Sequence, residues 1–206
     1  MSQLDKNGLT EEEFLKAYTP KAYPQPSVTA DNVILSKDKQ GYELLLIRRG
    51  GHPCLGMWAL PGGFLNEEEP PYLAAERELQ EETGLAQIPA VLLGVFGDTH
   101  RDPRCWTITC AYCALVDKSK LSPKAGDDAA DAKWFRLSWS HQTGNLCLTL
   151  TGNGEQLTAL LRPVETVTPL GTDVRFEILE QEGLAFDHAK VIATAVARLE
   201  QLRAGD

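Results

Sequence analysis

Between Gly62 and Leu85 the chain reads GGFLNEEEPPYLAAERELQEETGL, with seven glutamates and a single cation, Arg77. Oxygen donors at this density suit a hard divalent cation, and Mg²⁺ is commonly held by carboxylates together with the phosphates of a substrate. Pro70 and Pro71 fit a helical first turn, Gly84 fits the position just past a helix end, and good helix formers lie between. At 100° per residue, Glu81 falls about −60° and Glu82 about +40° from Glu78, so three carboxylates share one edge. Tyr72, Ala75 and Leu79 form an adjacent apolar face that can dock on a sheet. A purely solvated glutamate face is the alternative, since like charges three and four residues apart cost only a few tenths of a kcal/mol each.

The spacing decides between them. Gly63 is followed after five residues by Glu69, and after seven more by Arg77-Glu78-Leu79-Gln80-Glu81-Glu82-Thr83-Gly84-Leu85. This resembles the Nudix box, in which G, five residues, E, seven residues and R-E-aliphatic-x-E-E-x-G-aliphatic follow one another. Every specified position matches, and from residue frequencies a chance match is rarer than roughly one in a million. The resemblance implies Mg²⁺ or Mn²⁺ bound on the pyrophosphate of a nucleoside diphosphate linked to a further moiety. It implies Glu78 and Glu82 as principal ligands, Glu81 as a further ligand or activator of water, and the Gly62 carbonyl as another donor. Arg77, in the same catalytic segment, is expected to brace helix against loop by pairing with Glu69, with Gly63 and Gly84 as structural members. Clustered carboxylates are also expected to raise one another's pKa.

The flanking stretches PSVTADNVIL, LLLIRRG, GMWALPGGF, DTHRDPR, AKWFRL and LAFDHAKVIATAVARL resemble the ADP-ribose pyrophosphatase-like branch. That branch hydrolyses ADP-ribose to AMP and ribose 5-phosphate. Arg101 and Arg104 flank a rigid Asp-Pro and suit bidentate phosphate recognition, or else form a surface turn paired with Asp98 or Asp102. Arg49, with Arg48, is a further candidate for substrate binding. A general base is sought in the loop before Trp134, at Asp127, Asp128 or Asp131, or within the box at Glu81.

The elements that must position these groups follow from pattern. A helix is expected over 10–18, capped by Thr10 and Glu13. Strands are expected over 28–36, 42–49, 90–96 and 107–116, with a polar linker loop over 117–133. Thr151-Gly152-Asn153-Gly154 marks a hairpin, to which 174–179 can add a third strand. Asp187 can cap a closing helix whose Val191, Ile192, Ala195, Val196, Leu199 and Leu202 share a face, with His188 in its packing surface. The irregular mixture predicts an α+β fold, a mixed-sheet α/β/α sandwich, as one Nudix domain over 1–206. Residues 138–180 form an inserted hairpin beyond what the branch requires, and a contact with a second copy is its expected role, because a small flap needs something to pack on.

Composition narrows the function. The chain has 206 residues and a net charge of −9, which disfavours a nucleic-acid backbone as partner. Residues 138–206 hold five Lys/Arg against nine Asp/Glu. That weighs against a DNA-binding module and so against a metabolite-sensing regulator, the non-enzymatic alternative. Hydrolysis of oxidised nucleoside triphosphates is the alternative within the enzyme class. No apolar run reaches the roughly 20 residues of a membrane span, and the five scattered cysteines do not suggest a disulfide framework. A reduced cytoplasmic protein, acting on a small nucleotide and without membrane contact, is the expectation. Cys110 and Cys113 are read as structural, since residues three apart on a strand face opposite sides.

Overall fold

The computed structural model describes residues 3–126, 129–169 and 171–204. Its organising strand is β1 (Ser27–Asp38), in which Ala30 to Ser36 are all buried, the mark of a strand covered on both faces. Neighbouring side chains divide between two cores. Val33 and Leu35 point into one apolar cluster and Ile34 into another, and on β2 (Gly41–Arg49) Leu44 and Leu46 part from Leu45 in the same way. The first cluster is covered by helix α3 (His188–Ala204) and the second by helix α2 (Pro71–Thr83). The result is the expected α/β/α sandwich on a mixed sheet.

Short strands β3 (Trp58–Ala59) and β4 (Gly62–Phe64) pair with β2 and β1. Beyond them come β5 (Val91–Phe96), β6 (Thr107–Val116), β7 (Ala129–Gln142), β8 (Asn145–Gly152), β9 (Glu155–Thr168) and β10 (Gly171–Glu182). Eight strands run in the order β10-β9-β8-β7-β2-β1-β6-β5, with only β1 and β6 parallel among the described pairs. Bulges interrupt β5 at Leu92/Gly94 and β10 at Ile178/Glu180.

Helix α2 starts at Pro71 and ends at Gly84, whose φ of +72° is the left-handed position a glycine takes without steric cost. Ala75 and Leu79 are buried as the pattern requires, but Tyr72, at the open first turn, is 59% exposed. Helix α1 (Glu11–Ala17) has the reciprocal Thr10–Glu13 cap and buries no residue. On α3, Val191, Ile192, Ala195, Val196 and Leu199 are buried, whereas Leu202, in the last turn, is exposed.

Two expectations change. The expected linker loop over 117–133 ends early, because β7 begins at Ala129 and runs beside β2. Ala129, Ala132, Phe135 and Leu137 are the buried residues of β7. The segment 138–180 is also no flap. The end of β7 and strands β8, β9 and β10 extend the main sheet, and Leu146, Leu148, Leu150, Leu157, Leu161 and Phe176 join the cluster under α3. The packing partner that such strands need is therefore supplied within the chain.

Leu148 tests this continuity. Leu148→Ala should cost about 2–5 kcal/mol in urea unfolding and leave a single transition. A cost under about 1 kcal/mol, or a separate early transition, would mean that the added strands fold apart from the rest.

Candidate active site

The segment from Leu60 to Gly63 crosses the centre of the molecule and is held residue by residue. Leu60 N–H donates to His188 Nδ1 at 2.9 Å, and Asn32 N–H donates to the Pro61 carbonyl at 2.8 Å. Gly62 N–H donates to Glu82 Oε2 at 2.8 Å, while Asn32 Nδ2 reaches across to the Ala75 carbonyl at 2.9 Å. Three elements, β1, α2 and α3, thus fix one loop. The glycines are needed for space: a Cβ on Gly62 would lie 2.3 Å from the Ala30 carbonyl oxygen, and one on Gly63 would lie 2.5 Å from the Glu78 carboxylate.

Arg77 braces this loop against α2. Its Nε and Nη2 form a fork on the Glu69 carboxylate, both at 2.9 Å, and Nη2 also donates to the Phe64 carbonyl. The Arg77 fork, and after it the Asn66 N–H donating to Glu69 Oε2 at 2.9 Å, hold Glu69 down at about 2. The same guanidinium turns Nη1 to Glu78 at 2.7 Å and to Glu81 at 3.0 Å, contacts that the spacing did not predict. Glu82 is buried, and its carboxylate accepts from the backbone of Gly62. Burial first, and the charges of Glu78 and Asp31 after it, push its pKa up to about 8. Glu78 is raised as well, by burial against the opposing pull of Arg77. The expected upward shifts are present at Glu78 and Glu82, and desolvation exceeds mutual repulsion as their cause.

Among the described residues no three carboxylate, imidazole or thiolate groups already converge on one point as a cation cage. Arg77 draws Glu78 and Glu81 to itself, while Glu82 bonds to Gly62. The donor chemistry nevertheless fits a hard divalent ion. Oxygen ligands lie on one helix edge, and a buried carboxylate whose pKa is raised lacks a compensating cation.

The carboxylates open into a cavity of about 670 Å³, whose walls also include Arg49, Phe64, Arg101, Arg104, Phe186 and His188. The arginines already have protein partners. Arg101 is buried and donates through Nη2 and Nε to Asp187 at 2.8 and 3.1 Å, with Asp31 3.7 Å away. It is a clamp between the β5–β6 connection and the start of α3, and the Asp187 carboxylate serves Arg101 rather than capping the helix. Arg104 forks onto Asp102 at 3.0 and 2.7 Å. The pairing of Arg104 with Asp102 agrees with the paired-turn alternative read for RDPR, and the partner of Arg101 is Asp187; the Nη1 group of Arg104, on a side chain that is 41% open, is not engaged by Asp102. Arg49 donates to the Pro53 carbonyl, and Arg48 lies 3.6 Å from Glu155 on the β8–β9 turn.

Asp131 lies on β7 opposite Arg48 and 3.5 Å from Lys133, so it is not in a free loop. Asp127 and Asp128 lie outside the described residues. The preceding segment docks on the end of α2, with Lys124 N–H on the Thr83 carbonyl and Gly126 N–H on the Glu82 carbonyl.

Sequence reasoning missed Asp31, Asn32, Phe64 and Phe186, and gave His188 only a packing role. Adjacent Asp31 and Asn32 in an otherwise apolar run were the available signal. Burial lowers the His188 pKa, and its Nδ1 accepts from the Leu60 N–H, so that nitrogen carries no proton. Phe186 adopts φ +52°, a left-handed conformation that costs a bulky residue about 1–3 kcal/mol. Its carbonyl accepts from Gln181 Nε2 at 2.7 Å.

The raised Glu82 pKa has a stability consequence for the metal-free protein. A carboxyl whose folded pKa exceeds its unfolded value of 4.5 favours folding while protonated, and that stability is lost as pH rises towards 8. Unfolding midpoints of metal-free protein should therefore fall from pH 4.5 to 8, by a few kcal/mol at about 1.4 per pKa unit. Glu82→Gln should flatten this slope; an unchanged slope in the variant would refute the assignment.

Comparison with known proteins agrees with this geometry. The family model for the NUDIX domain matches residues 26–146. The chain is 40% identical over 124 residues to an ADP-ribose pyrophosphatase of Methanocaldococcus jannaschii, covering 60% of this chain and 69% of that protein. It is 38% identical over 113 residues to the ADPR responsive transcriptional repressor NtrR of Acinetobacter baylyi, covering 54% of this chain and 45% of the repressor. It therefore spans less than half the length of that relative. A MutT/nudix family protein from Enterococcus faecalis superimposes with a TM-score of 0.75 at 32% identity, over 94% of this chain and 70% of that one. The NUDIX domain of Shewanella oneidensis NrtR, complexed with ADP ribose, gives a TM-score of 0.55 at 34% identity, over 61% of this chain and 82% of that one. With the family model covering more than half its length, and the whole box folded into one loop and helix beside the cavity, the chain belongs to the NUDIX family.

Proposed function

We propose that the protein is a Mg²⁺-dependent pyrophosphatase that hydrolyses ADP-ribose to AMP and ribose 5-phosphate, with Mn²⁺ able to replace Mg²⁺. The observation that carries this reading is that Glu78, Glu81 and Glu82 of the box stand together on the wall of a cavity large enough for a nucleotide. Likeness to an ADP-ribose pyrophosphatase, and to a NUDIX domain complexed with ADP ribose, supports the substrate.

Glu78, Glu82 and the Gly62 carbonyl are the groups that would hold the cation, with Glu81 beside them. When bound, the ion neutralises diphosphate charge and lowers the pKa of an attacking water. Glu81 is the most exposed of the three carboxylates, with 44% of its side chain open, and is the group assigned to take a proton from that water. The water oxygen bonds to one phosphorus as the bridging P–O bond breaks, and the bridging oxygen leaves on the other phosphate. Arg77 keeps Glu78 and Glu81 within reach through Nη1 while Glu69 anchors its other face.

Likeness to NtrR favours a second reading, metabolite sensing without turnover. The acidic balance of residues 138–206, five Lys/Arg against nine Asp/Glu, weighs against a nucleic-acid partner. Turnover distinguishes the two. A Mg²⁺-dependent panel of ADP-ribose, NADH, nucleotide sugars, dinucleoside polyphosphates and oxidised dNTPs should show the highest kcat/KM for ADP-ribose. Glu82→Gln should lose at least about 10²-fold in kcat. Near-normal turnover by that variant would refute the metal-ligand assignment, and no turnover by the wild type would favour the sensing reading.

A further inference from the structure

Away from the carboxylates the cavity wall carries two phenylalanine rings, Phe64 and Phe186, with arginine planes against them. The Arg104 guanidinium carbon lies 4.8 Å from the centre of the Phe64 ring and 5.8 Å from that of Phe186. The Arg49 guanidinium lies 5.0 Å from Phe186 on the same wall. Asp102 binds Arg104 on its Nε and Nη2 side and so holds the guanidinium plane beside the two rings. Phe64 remains 37% exposed although its neighbour Gly63 lies in the box, and its carbonyl is tied to Arg77. Phe186 is held in a left-handed conformation, and backbone strain of that kind clusters at ligand-binding positions.

We propose that Phe64, Arg104 and Phe186 form the seat of the substrate's purine base, which stacks on these flat faces while the diphosphate lies toward Glu78, Glu81 and Glu82. This deepens the nucleotide pyrophosphatase reading and rests on it for the identity of the substrate. Stacking on aromatic rings and guanidinium planes needs no hydrogen-bond code, because every base has a π-face. The RDPR turn then contributes through Arg104 a surface for the base, and selectivity for a nucleoside over a bare diphosphate originates here.

Titration calorimetry with Mg²⁺, using AMP and inorganic pyrophosphate as separate probes, tests the assignment on the full chain. Phe64→Ala should weaken AMP binding about 10-fold and leave pyrophosphate within about twofold, because only the nucleotide loses a stacking partner. Phe64→Tyr should restore AMP binding, and Phe64→Leu, which keeps apolar bulk, should not. Equal weakening of both probes, unchanged AMP binding in Phe64→Ala, full rescue by leucine, or no AMP binding by the wild type would each overturn the base seat. ADP-ribose turnover is read separately. A wild type that binds AMP through Phe64 but hydrolyses no ADP-ribose leaves the base seat standing and removes the pyrophosphatase reading. Normal turnover with KM unchanged in Phe64→Ala does the reverse.

Discussion

The site is built on a shortage of positive charge. Arg77 donates at once to Glu69, Glu78 and Glu81, and Glu82, buried beside them, has a backbone N–H as its partner. Packing supplies the energy that keeps these carboxylates together, since Leu79 and Ala75 on the same helix lie in the core. The helix cannot rotate its charged edge into water without exposing that apolar face. Negative charge is thus held where a divalent ion would relieve it.

The rest of the fold serves to keep the loop before this helix still. β1 provides Asn32, α2 provides Glu82 and α3 provides His188, each bonded to the backbone between Leu60 and Gly62. Arg101 adds a buried link from the β5–β6 connection to Asp187 at the start of α3. The added strands participate too. Glu155 on the β8–β9 turn accepts from the Trp58 indole at 3.0 Å, and Trp58 packs edge-on to Phe135 at 4.7 Å under the same loop.

What was legible in the sequence was local or periodic. Capping at Thr10, the start at Pro71, the stop at Gly84 and the turn at Asn153-Gly154 depend on a few neighbouring residues, and all are present. The alternation of Leu44, Leu45 and Leu46 between two cores follows from the two-residue period of a strand. What escaped was long-range pairing. That Arg101 would meet Asp187, or His188 the N–H of Leu60, involves separations of 86 and 128 residues, which no local pattern encodes. In RDPR the pairing of Arg104 with its neighbour Asp102 was within reach of local reading, whereas the Asp187 partner of Arg101 was not. Likewise, residues 138–180 resembled a separate hairpin because nothing local reveals that β7 runs through into the main sheet.

That continuous sheet leaves two outer strands with no neighbouring strand on one side among the described residues, and such rims invite unwanted self-association. They are guarded differently. β10 has Asp173, Arg175, Glu177, Glu180 and Glu182 along its length, so another strand approaching it meets ionised side chains that would have to shed water. β5, with the sequence VLLGVF, has no charge at all and relies on its kink at Leu92/Gly94 to spoil the straight template that an incoming strand would need. Colloidal behaviour should therefore be asymmetric: salt and pH govern stickiness at one rim, and backbone shape governs it at the other.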